Sequence, residues 1–148
     1  MNIRPIESAD FEEWLRMRAA LWPEHTADEH RAEMEQIAAD RLSPVFVADR
    51  GDGRLGGFLE AGLRKYAEGC ETSPVGYIEG WYVDADLRAQ GIGRVLMQAA
   101  EEWGRTQGCT EMASDCLLDN DVSYRAHLAI GYVETERLIH FKKNLRPR

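Results

Sequence analysis

The 148-residue chain has no apolar run long enough to cross a membrane as a helix, which excludes a spanning protein of that kind. Its first twenty residues include Glu7, Asp10, Glu12 and Glu13, so they do not read as a signal peptide. Cysteine is scarce: Cys70, Cys109 and Cys116 are odd in number and lack metal-ligand spacing. No disulfide framework and no metal site is implied, and three reduced thiols in a cytoplasmic protein are expected. Positive charge is also short, with 18 Lys and Arg against 26 Asp and Glu, a net charge of −8. That argues against nucleic acid, whose phosphates demand basic patches, and permits a cationic ligand. Repeats, low-complexity tracts and domain linkers are absent, so residues 1–148 read as one domain large enough to bury a core.

What is present alternates between helix and strand. Asn2 to Pro5 reads as a first strand. Asp10-x-x-Glu13 has the form of a capping box, with Phe11, Trp14, Leu15, Arg18 and Leu21 following at helical spacing. Trp22-Pro23-Glu24-His25 breaks that helix, and Thr26-x-x-Glu29 caps a second, with Met34, Ile37 and Ala38 on its apolar face. Val45 to Ala48 and Leu55 to Leu63 read as strands joined by a turn at Gly51-Asp52-Gly53. A polar loop from Arg64 to Pro74 leads to a strand over Gly76 to Val83. Gly93 to Thr106 is expected to be a helix with Val95, Leu96, Ala99 and Trp103 inward. A strand over Glu111 to Cys116, a helix over Asp121 to Ile130 and a last strand over Arg137 to Lys142 complete the chain. The order predicts a mixed α/β domain: helices, an antiparallel meander, then a β-α-β-α-β tail.

The segment from Val83 to Leu96 carries the most information. An apolar strand runs into Arg88-Ala89-Gln90-Gly91-Ile92-Gly93-Arg94 at the mouth of a helix. Two glycines let backbone approach a ligand closely, and the N–H groups of a starting helix form an anion site. Arg88 and Arg94 add charge, so a pyrophosphate would suit the site. A dinucleotide fingerprint fails because Leu96 stands where its third glycine belongs, and the lysine-containing phosphate loop of nucleotide hydrolases does not occur. A tight turn before an amphipathic helix is the plainer alternative.

The Arg88/Gly91/Gly93 loop resembles the acetyl-CoA-binding motif of the GNAT superfamily of N-acetyltransferases. A second segment fits: Asn120 opens a helix ending His127-Leu128-Ala129-Ile130-Gly131-Tyr132, although His127 stands where the family usually has a tyrosine. Other strings resemble the aminoglycoside 6′-N-acetyltransferases within that superfamily. They are Leu21-Trp22-Pro23-x-His25, Ser73-Pro74, Glu79-Gly80, Glu111-Met112-Ala113-Ser114-Asp115 and Glu134-Thr135-Glu136-Arg137.

The resemblance implies a central, mostly antiparallel sheet flanked by helices, an acetyl-CoA cosubstrate, a polycationic aminoglycoside of the kanamycin and tobramycin kind, and a homodimer. It assigns the cofactor to Trp81, Tyr82 and Val83 for pantetheine and acetyl carbonyl, to Ala89, Gln90, Gly91, Ile92, Gly93 and Arg94 for pyrophosphate, and to Asn120. For the substrate, Trp22, His25, Tyr66, Glu79, Asp115 and Glu136 form an expected cation-binding cleft. Glu79 is the first choice for catalytic base and Asp115 the second, with proton loss through water as the alternative, because a carboxylate beside a cation is a poor base. Tyr124 and His127 are candidates for protonating the thiolate, and helix packing explains them equally well. Two other functions remain open: acetylation of another amine, such as a polyamine or a protein N-terminus, and non-catalytic binding of acyl-CoA.

Overall fold

Five segments pair into one sheet, whose two long central strands are largely buried because helices cover them. The computed structural model describes residues 1–148, with strands β1 (Asn2–Pro5), β2 (Val45–Asp49), β3 (Leu55–Arg64), β4 (Val75–Val83) and β5 (Met112–Ser114). They lie in the order β1-β2-β3-β4-β5; the first four pair antiparallel and β5 joins β4 in parallel. The helices are α1 (Phe11–Leu21), α2 (Ala27–Ala39), α3 (Ile92–Thr106) and α4 (Asp121–Ala129). The chain divides into two compact units, Met1–Asp115 and Cys116–Arg148.

Within the first unit, β3 shows how the strand period assigns the two faces. Phe58 packs with Trp14, Met17 and Met34 of α1 and α2. Gly57, one residue away, backs onto Leu96 of α3, where an added Cβ would lie 3.2 Å from the leucine. Leu96, Met97, Ala100 and Gly104 form the buried stripe of α3. Val95, expected inward, is exposed, and Ala99 and Trp103 are half-buried. The stripe therefore runs one residue later than the first apolar side chain suggested.

The helix starts differ in the same way. Thr26 and Glu29 exchange both bonds of a capping box at α2, with Ile37 half-buried beside Met34, but Ala38 faces solvent. Asp10-x-x-Glu13 is not a capping box. Asp10 accepts the Glu7 N–H and a two-pronged bond from Arg4, while Glu13 accepts from Arg16 and from the N–H of Leu55. Both carboxylates thus serve tertiary contacts.

The second unit contains α4, with Asn120 capping it through the Ser123 N–H. The strand expected over Arg137 to Lys142 does not form, and residues 133–148 carry no helix or strand. Leu138, Ile139 and Phe141 are exposed. Alternation alone does not make a strand; the backbone also needs a ladder partner.

Candidate active site

The joint between α1 and α2 and one irregularity in the sheet create a cleft. Glu60 pairs with Gly80 and Ala61 with Ile78, so Glu79 is the extra residue of a bulge in β4. A bulge re-aims the side chain it carries, and Glu79 is exposed between the buried Ile78 and Gly80. Gly80 has no side chain because the Trp22 indole sits there, 2.5 Å from where a Cβ would be. Trp22 itself ends α1, where Pro23 prevents another turn.

Two hollows open at this point. One, about 140 Å³, is lined by Trp22, His25, Glu33, Glu60 and Glu79. The other, about 450 Å³, also includes Glu33, Glu60 and Glu79, together with Asp40, Leu42 and Gly62. The structure thus brings together Trp22, His25 and Glu79, and adds three acidic residues that sequence reasoning missed. A signal existed for one of them: Glu60 is a lone carboxylate inside an apolar strand, and Arg18 falls on the apolar stripe of α1. Opposite charges at two buried positions suggest each other as partners.

Arg18 is only 1% exposed and organises the cleft wall. Its guanidinium binds Glu60 and Glu33 and donates from Nε to His30 Nδ1 at 3.3 Å. His30 Nε2–H then donates to the Trp22 carbonyl at 3.1 Å, and the Arg18 guanidinium lies 4.8 Å from the Trp22 ring centroid. Glu60 also accepts from the Trp14 indole at 2.9 Å. Burial pushes the Glu60 carboxyl above its ordinary range, against the pull of Arg18 and the Trp14 N–H.

A second arginine lies at the rim. Arg64, at the end of β3, forks onto both oxygens of Glu79 at 3.0–3.1 Å and lies 3.4 Å over the Tyr77 ring centroid. The Tyr77 hydroxyl donates to Asp115 just beyond β5, and burial together with that bond raises the Tyr77 pKa. Asp115 lines neither hollow, and nor does Tyr66, which is exposed on the loop after β3. That loop is tied to β5 by Glu111, which accepts the N–H groups of Glu71 and Thr72 and the Thr72 hydroxyl.

The loop before α3 has the geometry of an anion cradle. Ala89 and Gly91 both have left-handed backbone, at φ of 62° and 83°, and Gly91 is the N-cap of α3. No side chain caps this helix and its first turn holds no acidic residue, so the positive end of its dipole is not neutralised locally. Asp84 anchors the approach to this loop by accepting from Arg16 and Arg50, and Arg50 also binds Asp86. Arg88 donates to the Val83 carbonyl. Trp81 lies against Gly93, donating to its carbonyl at 3.1 Å; a Cβ on Gly93 would press on the indole. Pairing of β4 with β5 stops at Ile78, so residues 79–83 run on without a β5 partner.

The remaining expected residues lie in the second unit. Asn120 serves as the N-cap of α4, and Glu136 is exposed outside any helix or strand. His127 Nδ1 is bound to the Ser123 carbonyl, and the Tyr124 hydroxyl donates to Glu134.

The chain as a whole is similar to known proteins. Residues 11–132 match the model of the Acetyltransferase (GNAT) family. The chain is 42% identical over 146 residues to an aminoglycoside N(6′)-acetyltransferase type 1 of Klebsiella aerogenes, covering 97% of this chain and 96% of the relative. It is 40% identical to one from Acinetobacter baumannii, over 98% and 99%. Among solved structures, the apo aminoglycoside 6′-N-acetyltransferase AAC(6′)-IG of Acinetobacter haemolyticus superposes with a TM-score of 0.92 at 38% identity, over 99% of this chain and 100% of that one. AAC(6′)-Iy in complex with the bisubstrate analogue CoA-S-monomethyl-acetylneamine gives 0.91 at 38%, over 97% and 98%. On this near-full-length likeness, the chain belongs to the GNAT family of acetyltransferases.

Proposed function

We propose that this chain is an aminoglycoside 6′-N-acetyltransferase that uses acetyl-CoA and confers resistance by direct transfer in a ternary complex. The observation that carries the reading is the cleft where Trp22, Glu33, Glu60 and Glu79 converge. A polycationic, hydroxyl-rich sugar needs carboxylates and flat faces, and this cleft offers both. The family match runs across the boundary between the two units, which supports reading residues 1–148 as one functional domain.

Acetyl-CoA supplies an activated thioester. The left-handed turn at Ala89 to Gly91, with Gln90, Ile92, Gly93 and Arg94, receives its pyrophosphate through backbone N–H groups. Trp81, Tyr82 and Val83, beyond the last β4–β5 pair, take the pantetheine arm and acetyl carbonyl, and Asn120 completes the cofactor side. On the other side, Trp22, His25, Tyr66, Glu79, Asp115 and Glu136 orient the sugar so that one amine faces the thioester, the positioning that group transfer requires. The amine must lose a proton before it attacks. Glu79 is the group through which that proton leaves, directly or by water, and Asp115 holds the ring beside it. Three free cysteines support a cytoplasmic location. Exposed Leu138, Ile139 and Phe141 support a homodimer that covers them, and a monomer by sedimentation at micromolar concentration would refute it.

Asp115→Asn tests the substrate role proposed for the carboxylate beside the cleft. Loss of one charge-assisted hydrogen bond should lower kcat/KM for kanamycin by one to two decades, roughly 1.5–3 kcal/mol, with acetyl-CoA affinity unchanged. Equal activity of variant and wild type, or faster turnover of spermidine than of every aminoglycoside, would favour acetylation of another amine.

A further inference from the structure

Two arginines reach the acidic cleft, and they differ in one respect. Arg18 is buried and cannot leave. Arg64 is 42% exposed, and its partner Glu79 is 44% exposed. The Arg64 fork engages both oxygens of Glu79, the residue proposed to meet the substrate's amine. Its guanidinium also covers Tyr77, whose hydroxyl is held by Asp115, the second carboxylate of that set. A cation of the protein's own therefore sits where a substrate cation is expected.

We propose that Arg64 is an internal competitor: it occupies Glu79 in the free protein and yields it preferentially to a ligand that brings its own positive charge. The inference rests on the proposed cation-binding role of Glu79. A neutral sugar offers only hydroxyl donors, which bind a carboxylate more weakly than a bidentate guanidinium and compete poorly for it. An ammonium group can, because an exposed ion pair in water is weak and its partners exchange freely. Displacement need not expel Arg64 from the rim, since the Tyr77 ring provides a second, cation–π seat for the guanidinium. Arg64 thus sets substrate affinity and selects for charge, and it weakens ground-state binding of the aminoglycoside.

The test is steady-state kinetics with kanamycin for Arg64→Gln, Arg64→Lys, Glu79→Gln and the double variant Arg64→Gln/Glu79→Gln. Arg64→Gln should lower KM for kanamycin about two- to fivefold, the range of an exposed pair, with kcat within about twofold. KM for acetyl-CoA should not move. Arg64→Lys, which keeps the charge but loses the fork, should fall between wild type and Arg64→Gln. In the Glu79→Gln background, Arg64→Gln should give no gain, because the contested carboxylate is gone. A KM for kanamycin that rises or stays the same in Arg64→Gln, while Glu79→Gln raises it, overturns the competitor and leaves the cleft reading intact. An unchanged KM in Glu79→Gln overturns both.

Discussion

Replacing Arg18 by Met should destabilise the protein in a way that depends on pH. The substitution keeps an unbranched side chain between Trp14 and Trp22 but removes the guanidinium that binds Glu60, Glu33 and His30. Glu33 is exposed and loses little. Glu60, 4% exposed, keeps only the Trp14 N–H. A stranded buried carboxylate escapes by taking up a proton, and the cost of that proton bounds the damage. From an ordinary pKa of 4.5, holding the group neutral costs about 3.4 kcal/mol at pH 7 and about 1.4 kcal/mol at pH 5.5, at roughly 1.36 kcal/mol per pH unit. The first figure lies within the ~3–5 kcal/mol typical of a broken buried pair. The sign follows from the protons bound: above pH 4.5 the variant's folded state holds one that its unfolded state has released, so its stability falls as pH rises. Urea denaturation at pH 5.5 and pH 7, followed by tryptophan fluorescence, should show the deficit growing by up to about 2 kcal/mol between them, and by less to the extent that burial already holds the proton on Glu60 in the wild type. Adding Glu60→Gln should recover most of the loss at pH 7, since no charge is then stranded. A deficit independent of pH, or a double variant as unstable as the sum of its parts, would refute the reasoning.

Gly91→Ala places a Cβ in open space but on a left-handed backbone, so it should cost about 1–2 kcal/mol in strain rather than by collision. The relaxed turn should weaken acetyl-CoA binding by calorimetry, and unchanged affinity in a folded variant would count against the anion cradle. Asp10 is held below its ordinary value of 3.8 first by its hydrogen bond from Arg4, so it contributes stability above that value that is lost as pH falls through the lowered one. Asp10→Asn should therefore be less stable than wild type at neutral pH and lose less on acidification, as read by acid titration of unfolding.

Apart from the strand expected over Arg137 to Lys142, which does not form, the expected elements lie within a residue or two of their bounds, and the differences within them share a cause. The Asp10 and Glu13 carboxylates match a capping pattern but bind Arg4 and the Leu55 N–H, groups brought near by the sheet. Val95 is as apolar as its neighbour, yet the buried stripe of α3 begins at Leu96 because that residue meets Gly57. Of the expected substrate residues, Trp22, His25 and Glu79 line one hollow. Glu33 and Glu60 escaped notice because acidic side chains on a helix and a strand are ordinarily solvated.

By itself the sequence determined what a few neighbouring residues decide. The Thr26–Glu29 capping box, the turn at Gly51 to Gly53, the stop at Trp22-Pro23 and the glycine entry to α3 depend on local backbone conformation and on donors within one helical turn. Tertiary structure decided which charges face one another. Arg18 and Glu60 lie far apart in the chain and are paired only because α1 packs over β3. Glu79 is aimed outward by a bulge that exists only in the pairing of β3 with β4. The apolar alternation near Leu138 specifies a face without supplying a neighbour, and a strand forms only where another backbone meets its hydrogen-bonding groups.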